Sequence, residues 1–368
     1  MKTETKKILF IIQLPPPMHG VSMMNSYIFK SELINNNFAI DVVDLKFSSS
    51  INELQKLSFL KVFKTIYYGY KIVQKILTQK PDLVYFTLCP TGLAFYRDSF
   101  YVFLLKLMRS KIVYHLHGKG IRRDSEKSSL KKHLYKWVFK NTQVICLSER
   151  LKEDVRDVYD SVPYVVPNGI EVQPKIAGEL NRVKRSVPQL LCLSNYIRNK
   201  GILVLIDALY ILKNNGYLFN ARLVGAPSDL TVEFLNNVID KLNLKDVVTI
   251  VGPLFGNDKF SEFQKADIFV FPTYNDVFGL VNLEAMQFSL PVISTFEGSI
   301  PDVVIDNSTG FIVETQNAQM LAEKTAILLE DENLRLEMGK NGYERFINNY
   351  TLDHFEKRMN KTFCEILA

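Results

Sequence analysis

The chain has 368 residues, of which 47% are hydrophobic and 23% charged, and it contains 17 Gly, 14 Pro and 4 Cys. This composition excludes a disordered chain, a collagen-like fibre and a small protein held together by disulfides. The length is typical of two domains that each bury a core.

The formal net charge of +6 is distributed unevenly along the chain. Residues 1–177 carry 27 basic and 15 acidic side chains, whereas residues 178–368 carry 18 basic and 24 acidic ones. The stretch 56–140 alone contains 18 basic and 4 acidic residues. An excess of this size predicts a polyanionic partner, which could be nucleic acid, an anionic membrane surface or a phosphate-bearing ligand.

The N-terminal apolar run Ile8–Ile12 follows several lysines, as in a secretion signal. We expect a buried strand instead, because the run is short and is followed by Gln13 and three prolines. No apolar stretch reaches the length of a membrane span. The four cysteines are widely spaced, and we predict that they are buried cytosolic thiols in a cytoplasmic protein.

Short apolar runs alternate with segments of helical spacing from end to end. The predicted strands are 7–12, 39–44, 83–87, 111–116, 143–147 and 164–166 in a first series, and 189–193, 220–224, 247–251, 268–271, 291–294 and 310–313 in a second. Helical spacing is clearest over 204–213, 231–242 and 318–329. Continuously apolar strands separated by helices are typical of parallel sheets covered on both faces.

We therefore predict an α/β protein of two Rossmann-like, doubly wound domains that face each other across a cleft. The first domain is predicted to span residues 1–177 and the second 178–351, with a linker over 170–188. A last helix, about 352–367, follows the final strand, and one candidate position for it is against the first domain.

The most informative segment is PTYNDVFGLVNLEAM, residues 272–286, which follows a predicted strand. Gly279 stands near the start of the next helix, where free N–H groups and the helix dipole favour an anion such as a diphosphate. Glu284 could accept two hydrogen bonds from a ribose diol, and Asp276 could reach a sugar hydroxyl. These residues equally allow a structural interpretation, in which Asp276 caps the helix and Glu284 is a surface carboxylate.

Asp276 is followed, after seven residues, by Glu284 within the segment PTYNDVFGLVNLEAMQFSLPVISTFEGSIPDVV. This pattern closely resembles the donor-site signature of the retaining glycosyltransferases of family four. That family has the GT-B fold. Other matching segments, in the same order, are LPPPMHGVS (14–22), YHLHGKG (114–120), VVPNGIEV (165–172), LSNYIRNKGILVLIDAL (193–209) and RLVGAPSD (222–229). The resemblance covers nearly the whole chain and points to the type that builds bacterial surface polysaccharides.

The resemblance implies a donor site in the second domain. Glu284 would bind the ribose of a nucleotide sugar, and Asp276, where the family usually has Glu, would contact the donor sugar. Lys200 would neutralise the phosphates as the bond to the sugar breaks. The diphosphate would be held by the backbone amides of the residues Phe278, Gly279, Leu280 and Val281.

Four further positions depart from or complete this pattern. The family commonly has Arg where this chain has Asn195, and Arg198 is close enough in sequence to supply the missing charge. In the first domain, Gly20 resembles the tight loop that lets the backbone approach the donor. His117 matches a histidine that contacts the transferred sugar, whereas we expect His115 to lie on the opposite side of the strand and to be structural.

The implied activity is transfer of a hexose-type sugar, with retention, from a nucleotide-diphosphate sugar to a hydroxyl of a glycan or lipid-linked oligosaccharide. A UDP-sugar is favoured. No Asp-x-Asp motif stands at a strand end, so neither a metal nor another cofactor is expected. The main alternative is a noncatalytic or epimerase-type GT-B relative that binds a nucleotide sugar. A tandem-Rossmann oxidoreductase is disfavoured because Gly-x-Gly-x-x-Gly is missing, and nucleic-acid binding because no recognition motif is present.

Two basic segments bear on the acceptor. In a helix over 57–77, Lys61, Lys64, Lys71 and Lys75 share an arc of about 80° with Tyr68. A second cluster, which includes Trp137, consists of Arg122, Arg123, Lys127, Lys131, Lys132, Lys136 and Lys140. Solvated helix faces would explain both segments. Together in the acceptor-binding domain, they favour a peripheral enzyme on the inner face of the cytoplasmic membrane with a lipid-diphosphate-linked acceptor.

Overall fold

The computed structural model describes residues 5–47, 59–173 and 186–368. The chain divides into a first unit, Met1–Asn168 with Leu352–Ala368, and a second unit, Gly169–Thr351. The predicted domain boundary at 177–178 and most of the predicted linker lie outside the described residues. The boundary therefore stays a prediction.

The first unit contains one six-stranded sheet and its covering helices. Its strands are β1 (Lys7–Ile12), β2 (Ala39–Asp44), β3 (Leu83–Phe86), β4 (Ile112–Leu116), β5 (Gln143–Cys146) and β6 (Tyr164–Val165). Its helices are α1 (Gly20–Lys30), α2 (Glu32–Asn37), α3 (Phe59–Gln79), α4 (Gly92–Leu107), α5 (Ile121–Lys127), α6 (Ser129–Phe139), α7 (Lys152–Val155) and, from the end of the chain, α15 (Leu352–Leu367).

The second unit is built in the same way around a second six-stranded sheet. Its strands are β7 (Gln189–Leu193), β8 (Asn220–Val224), β9 (Val248–Ile250), β10 (Ile268–Phe271), β11 (Val292–Thr295) and β12 (Gly310–Val313). Its helices are α8 (Ile202–Asn214), α9 (Val232–Lys241), α10 (Gly256–Lys265), α11 (Leu280–Gln287), α12 (Ile300–Val303), α13 (Ala318–Glu330) and α14 (Glu332–Asn349). The predicted strands are confirmed, with ends that shift by a residue at several places.

Both sheets are parallel, which confirms the predicted α/β class. The first has the strand order β2-β1-β3-β4-β5-β6 and the second the order β12-β11-β10-β7-β8-β9. In the second sheet β7 therefore pairs with β8 on one side and with β10 on the other. Ligands of open α/β sheets bind beyond the carboxyl ends of the strands where the strand order reverses. The loops after β7 and β10 stand at that point.

Helix α15 completes the first unit. The Phe363 ring lies 5.5 Å from that of Tyr85 and 5.9 Å from that of Phe38, and the Lys111 ammonium donates a hydrogen bond to the Ile366 carbonyl. The helix buries Phe355, Met359 and Phe363 along one stripe.

The cysteine prediction is correct in part. Cys146 and Cys192 are buried in strands, but Cys89 is partly exposed and Cys364 is exposed. Cys364 lies next to the buried stripe of α15 rather than on it, so its side chain points outward. A helix of 3.6 residues per turn separates adjacent residues by about 100°, and apolar character alone does not decide which of two neighbours is buried.

The orientation of α3 differs from the predicted one. The arc of lysines and Tyr68 was expected to face outward, yet Tyr68 is buried and its hydroxyl accepts a hydrogen bond of 2.9 Å from the Lys46 N–H. Lys75 forms an ion pair of 2.7 Å with Asp41 of β2, and Lys64 donates to the Lys46 carbonyl at 3.0 Å. These contacts turn the lysine arc toward the sheet edge. The opposite side of α3 forms an apolar arc, of which Phe63, Ile66 and Leu77 are left exposed.

Candidate functional site

The loops after β7 and β10 touch at the point where the second sheet reverses its strand order. The first loop ends in a short 3-10 helix, Arg198–Lys200, and the Tyr274 N–H of the second donates to the Asn199 carbonyl at 3.0 Å. Gly201 permits this approach, because its φ is +78° and an added Cβ would lie 2.0 Å from the Pro272 carbonyl oxygen. A glycine at position 201 therefore allows the two loops to pack against each other.

Lys200 and Asp276 meet across these loops. The Lys200 ammonium lies 2.6 Å from one carboxylate oxygen of Asp276 and donates a second hydrogen bond of 3.2 Å to the Asn275 carbonyl. Their side chains are 24% and 18% exposed. Two charges in a partly desolvated edge of the sheet interact more strongly than on an open surface. A cation is thus held beyond the strand ends, where a ligand could reach it.

The other carboxylate oxygen of Asp276 occupies the turn that leads into α11. It accepts hydrogen bonds from the N–H groups of Val277, Phe278 and Gly279 at 2.7, 3.1 and 2.9 Å. Asp276 is therefore not a cap of α11, whose N-cap is Gly279 with a φ of +70° and no side-chain cap. Its carboxylate closes the turn before the helix instead. The turn is an anion site whose present occupant is a carboxylate.

Glu284 is not the surface carboxylate of the structural interpretation. Its side chain is 16% exposed and lies 2.8 Å from the ammonium of Lys259, on the first turn of α10. Lys259 was not among the residues predicted for the site. The pairing joins helices that are separated by β10 in the chain, and no local pattern in α10 distinguishes Lys259 from the other lysine, Lys265. Only the tertiary packing identifies it.

The remaining predicted donor residues of this unit surround the same edge. Asn195 is exposed, and its side-chain oxygen accepts a hydrogen bond of 3.4 Å from the Ala226 N–H. The Arg198 side chain is also exposed, while its N–H donates to the Asp229 carboxylate at 2.9 Å. Leu280 and Val281 form the first turn of α11, where helix N–H groups lack partners within the helix.

Gly20 and His117 belong to the first unit. Gly20 opens α1, which is capped by His19, whose Nδ1 accepts a hydrogen bond of 3.4 Å from the Ser22 N–H. His117 follows β4, and burial, together with the nearby His19, lowers the pKa of His117 to about 3. The imidazole is therefore neutral at physiological pH. It can exchange hydrogen bonds with sugar hydroxyls but carries no charge.

The prediction that His115 lies on the opposite side of the strand from His117 is wrong, although the burial of His115 is consistent with the predicted structural role. Residues two apart in a strand lie on the same face, and the rings of His115 and His117 are 4.0 Å apart. His115 is fully buried, and its Nδ1 shares a hydrogen bond of 2.7 Å with the Tyr85 hydroxyl. His115 therefore packs against His117 on the same face of the strand.

Within the described part of the chain, no group of three or more His, Cys, Asp or Glu side chains is placed to hold a metal ion. The charged groups available are the Lys200–Asp276 pair of the loops after β7 and β10, the Lys259–Glu284 pair of α10 and α11, and a turn of N–H donors before α11. Such a set can stabilise negative charge that develops on a bound phosphate.

Comparisons with known families agree along the chain. A family model described as Glycosyl transferases group 1 matches residues 179–345, and one described as Glycosyltransferase Family 4 matches residues 52–174. Together these ranges include more than three quarters of the chain.

Individual relatives are less than 30% identical over the longer matches. The capsular polysaccharide biosynthesis glycosyltransferase CapM of Staphylococcus aureus is 29% identical over 228 residues, which are 58% of this chain and 59% of CapM. The match thus spans about three fifths of CapM. The uncharacterized glycosyltransferase MJ1178 of Methanocaldococcus jannaschii is 27% identical over 303 residues, 79% of each chain.

A solved structure extends the comparison to the fold. HepE of Anabaena, solved in complex with UDP, matches 98% of this chain and 100% of its own with a TM-score of 0.73 and 18% identity. HepE has also been solved in complex with UDP-glucose. The likeness shows a shared two-domain fold.

Proposed function

The chain belongs to the GT-B glycosyltransferases, and on that premise we propose that it transfers a hexose-type sugar from a nucleotide-diphosphate sugar to a hydroxyl of an acceptor. The favoured donor is a UDP-sugar, as the UDP complexes of HepE suggest. The favoured acceptor is a glycan or lipid-linked oligosaccharide of a cell-surface polysaccharide, in line with CapM. Retention of anomeric configuration follows from the family resemblance.

The observation that carries this proposal is the Lys200–Asp276 pair at the strand-order reversal of the second sheet. In the reaction, the bond from the sugar C1 to the phosphate oxygen breaks with its electron pair staying on that oxygen, while the acceptor oxygen forms a new bond to C1 and passes its proton to the departing phosphate oxygen. Negative charge accumulates on the departing diphosphate. The Lys200 ammonium would stabilise that charge, and binding would bring the acceptor hydroxyl close to C1.

Asp276 would change partners when the donor binds. Its carboxylate occupies the N–H groups of Val277, Phe278 and Gly279, which are the donors that a diphosphate would use. We infer that the diphosphate replaces the carboxylate there and that Leu280 and Val281 supply further N–H groups. The displaced carboxylate is then available to a sugar hydroxyl, or to the positive charge that develops at C1. Asp276 is one methylene shorter than the usual Glu, so this movement compensates for its shorter reach.

Glu284 would bind the nucleotide, and Lys259 would orient Glu284. The Glu284 carboxylate can accept both hydroxyls of the ribose, while the Lys259 ammonium, 2.8 Å away, pairs with that carboxylate. Neutral His117 in the first unit would exchange hydrogen bonds with the transferred sugar. Gly20, Asn195 and Arg198 would contribute to the donor pocket as the resemblance implies.

The charges of the site and of the first unit bear on metal use and on location. We propose that the chain acts without a bound metal, because the cations of the site are lysines. We also propose that it works in the cytoplasm at the inner face of the cytoplasmic membrane. The net +12 of residues 1–177 supports this location. In the described ranges, no helix is both long and apolar enough to cross a membrane.

The test is release of nucleoside diphosphate from a panel of sugar nucleotides, with and without membrane extract. We expect turnover with one donor, and a KM for that donor about tenfold higher in Glu284→Gln, because a hydrogen bond to a charged group is lost. Lys259→Gln breaks the same ion pair from its other end and serves as the matched control.

The two variants separate ribose binding from a structural role. If Glu284 binds ribose, only Glu284→Gln raises KM to this extent. Equal effects of the two variants would assign Glu284 to the ion pair alone. If wild-type chain binds a sugar nucleotide but releases no diphosphate in the presence of membrane extract, the proposal of catalysis is wrong and a noncatalytic relative is indicated.

A further inference from the structure

The outward faces of α3 and α4 are apolar. On α3 the exposed hydrophobic side chains are Val62, Phe63, Ile66, Tyr67, Tyr70 and Leu77, and on α4 they are Leu93, Tyr96, Phe100, Phe103 and Leu107. Phe63 is 76% exposed and Tyr70 66%. On α4, the residues exposed from Leu93 to Leu107 follow one another at intervals of three and four, and all are hydrophobic. This is the spacing by which a helix normally buries a face.

The two stripes adjoin. A Cβ added at Gly69 of α3 would lie 2.9 Å from the Phe100 ring and 3.1 Å from the Leu104 side chain of α4, so the helices are in close contact there. Phe100 borders this contact and is itself 38% exposed. We call the eleven side chains above the α3–α4 face. Monomeric proteins rarely expose a contiguous apolar patch of this kind unless it binds a partner.

The charges around the face are positive. The four acidic residues of the stretch 56–140 are all paired within the first unit: Asp82 with Lys6, Asp98 with Arg97, Asp124 with Arg123 and Lys131, and Glu126 with Arg122. Asp98, the one acidic residue of α3 and α4, is fully buried. The Lys71 ammonium of α3 lies 4.9 Å from the centre of the Tyr67 ring, so a cation borders the α3–α4 face and favours anions beside it.

Helix α6 extends this surface. The Lys106 ammonium of α4 donates to the Lys140 carbonyl at 2.7 Å and lies 5.1 Å from the centre of the Trp137 ring, which is 38% exposed. Burial and the charge of Lys140 lower the pKa of Lys106 to about 8. Trp and Tyr side chains are enriched at the interface between lipid and water. Tyr67, Tyr70, Tyr96 and Trp137 supply four of them.

We propose that the α3–α4 face enters the headgroup region of an anionic lipid bilayer, with the bordering lysines Lys71 and Lys106 near the lipid phosphates. A second copy of the chain is a poorer occupant, because pairing two such faces would bring the same positive charges together. An anionic bilayer satisfies the apolar side chains and the lysines at once. The inference rests on the proposed function for its purpose, which is to bring the chain to a lipid-linked acceptor.

The test is flotation of the full chain with phosphatidylglycerol–phosphatidylcholine vesicles, using Phe63→Ser/Tyr70→Ser/Phe103→Ser. Full burial of a large side chain changes partitioning by about tenfold or more, so we expect the triple variant to lose at least about tenfold in vesicle affinity. The matched control is Val162→Ser/Leu218→Ser/Leu336→Ser, which removes exposed hydrophobic side chains outside α3 and α4. It should float like wild type.

Thermal stabilisation by UDP, measured on each variant in the absence of lipid, separates this inference from the proposed function. A triple variant that keeps the wild-type response to UDP but no longer floats supports the inference. Flotation equal to wild type would overturn it, as would a wild-type chain that does not bind anionic vesicles at low salt. A wild-type dimer that the triple variant converts to a monomer would assign the face to a second copy instead.

Discussion

The two units use their polar groups in opposite ways. In the second unit, charged side chains meet at the strand ends as partly exposed pairs, Lys200 with Asp276 and Lys259 with Glu284. In the first unit, the histidine that follows β4 is neutral, and the outward helices are apolar with a basic surround. On the proposals above, one fold built twice would therefore bind a nucleotide diphosphate with one unit and a neutral sugar and lipid with the other.

The largest expected effect separates Lys200 from other lysines of its unit. Lys200→Ala should lower kcat by about 10²–10³, the usual cost of removing one group that stabilises transition-state charge. Lys213→Ala is the control, because Lys213 also forms a lysine–aspartate pair, with Asp246 at 2.5 Å. Initial rates of nucleoside diphosphate release at saturating donor provide the measurement. Similar losses in both variants would remove Lys200 from the mechanism.

A second prediction concerns the contact that brings the two loops together. Gly201→Ala should lower the free energy of unfolding by about 3 kcal/mol or more, since backbone strain adds to a collision with the Pro272 carbonyl. Gly216 has a similar φ of +83° but open space around it, so Gly216→Ala should cost only about 1–2 kcal/mol. Urea unfolding followed by circular dichroism measures both. Equal losses would mean that the close approach contributes nothing.

The fold was largely predictable from the sequence. Parallel strands buried on both faces are continuously apolar, so β1, β2, β7, β8, β10 and β12 could be bounded to the residue. Strand ends such as Thr87 and Val251 were less certain, because these residues lie just outside their strands but still donate backbone hydrogen bonds to the neighbouring strands, at Ile11 and Leu223.

The side-chain pairings were less predictable. Lys200 and Asp276 are 76 residues apart, and only the strand order places them together. For α3, the helical period separated a lysine arc from an apolar arc but did not say which arc packs inward. The partners of Tyr68 and Lys75, which are Lys46 and Asp41, decide that question.

A third prediction tests the buried neutral histidines. Burial lowers the pKa of His115 well below 6.5 and that of His117 to about 3, so the folded state stays unprotonated while the unfolded chain gains protons below pH 6.5. The contribution of these histidines to the free energy of unfolding is therefore fully present above pH 6.5. It is lost as the pH falls toward 3, by up to about 1.4 kcal/mol per pH unit for each histidine.

Fluorescence of the single tryptophan, Trp137, reports unfolding of the first unit in this range. His117→Asn should flatten the decline between pH 6.5 and 5, whereas His133→Asn, at an exposed position, should not. An unchanged slope in His117→Asn would show that His117 takes up its proton in the folded state.

The most direct test of the donor site is a calorimetric titration of UDP into wild type and Asp276→Asn. Asparagine preserves the shape of the side chain but removes the negative charge that competes for Lys200 and for the N–H groups before α11. We predict that UDP binds about three- to tenfold more tightly to the variant while sugar transfer falls. Weaker or unchanged UDP binding in a variant of wild-type thermal stability would contradict the account.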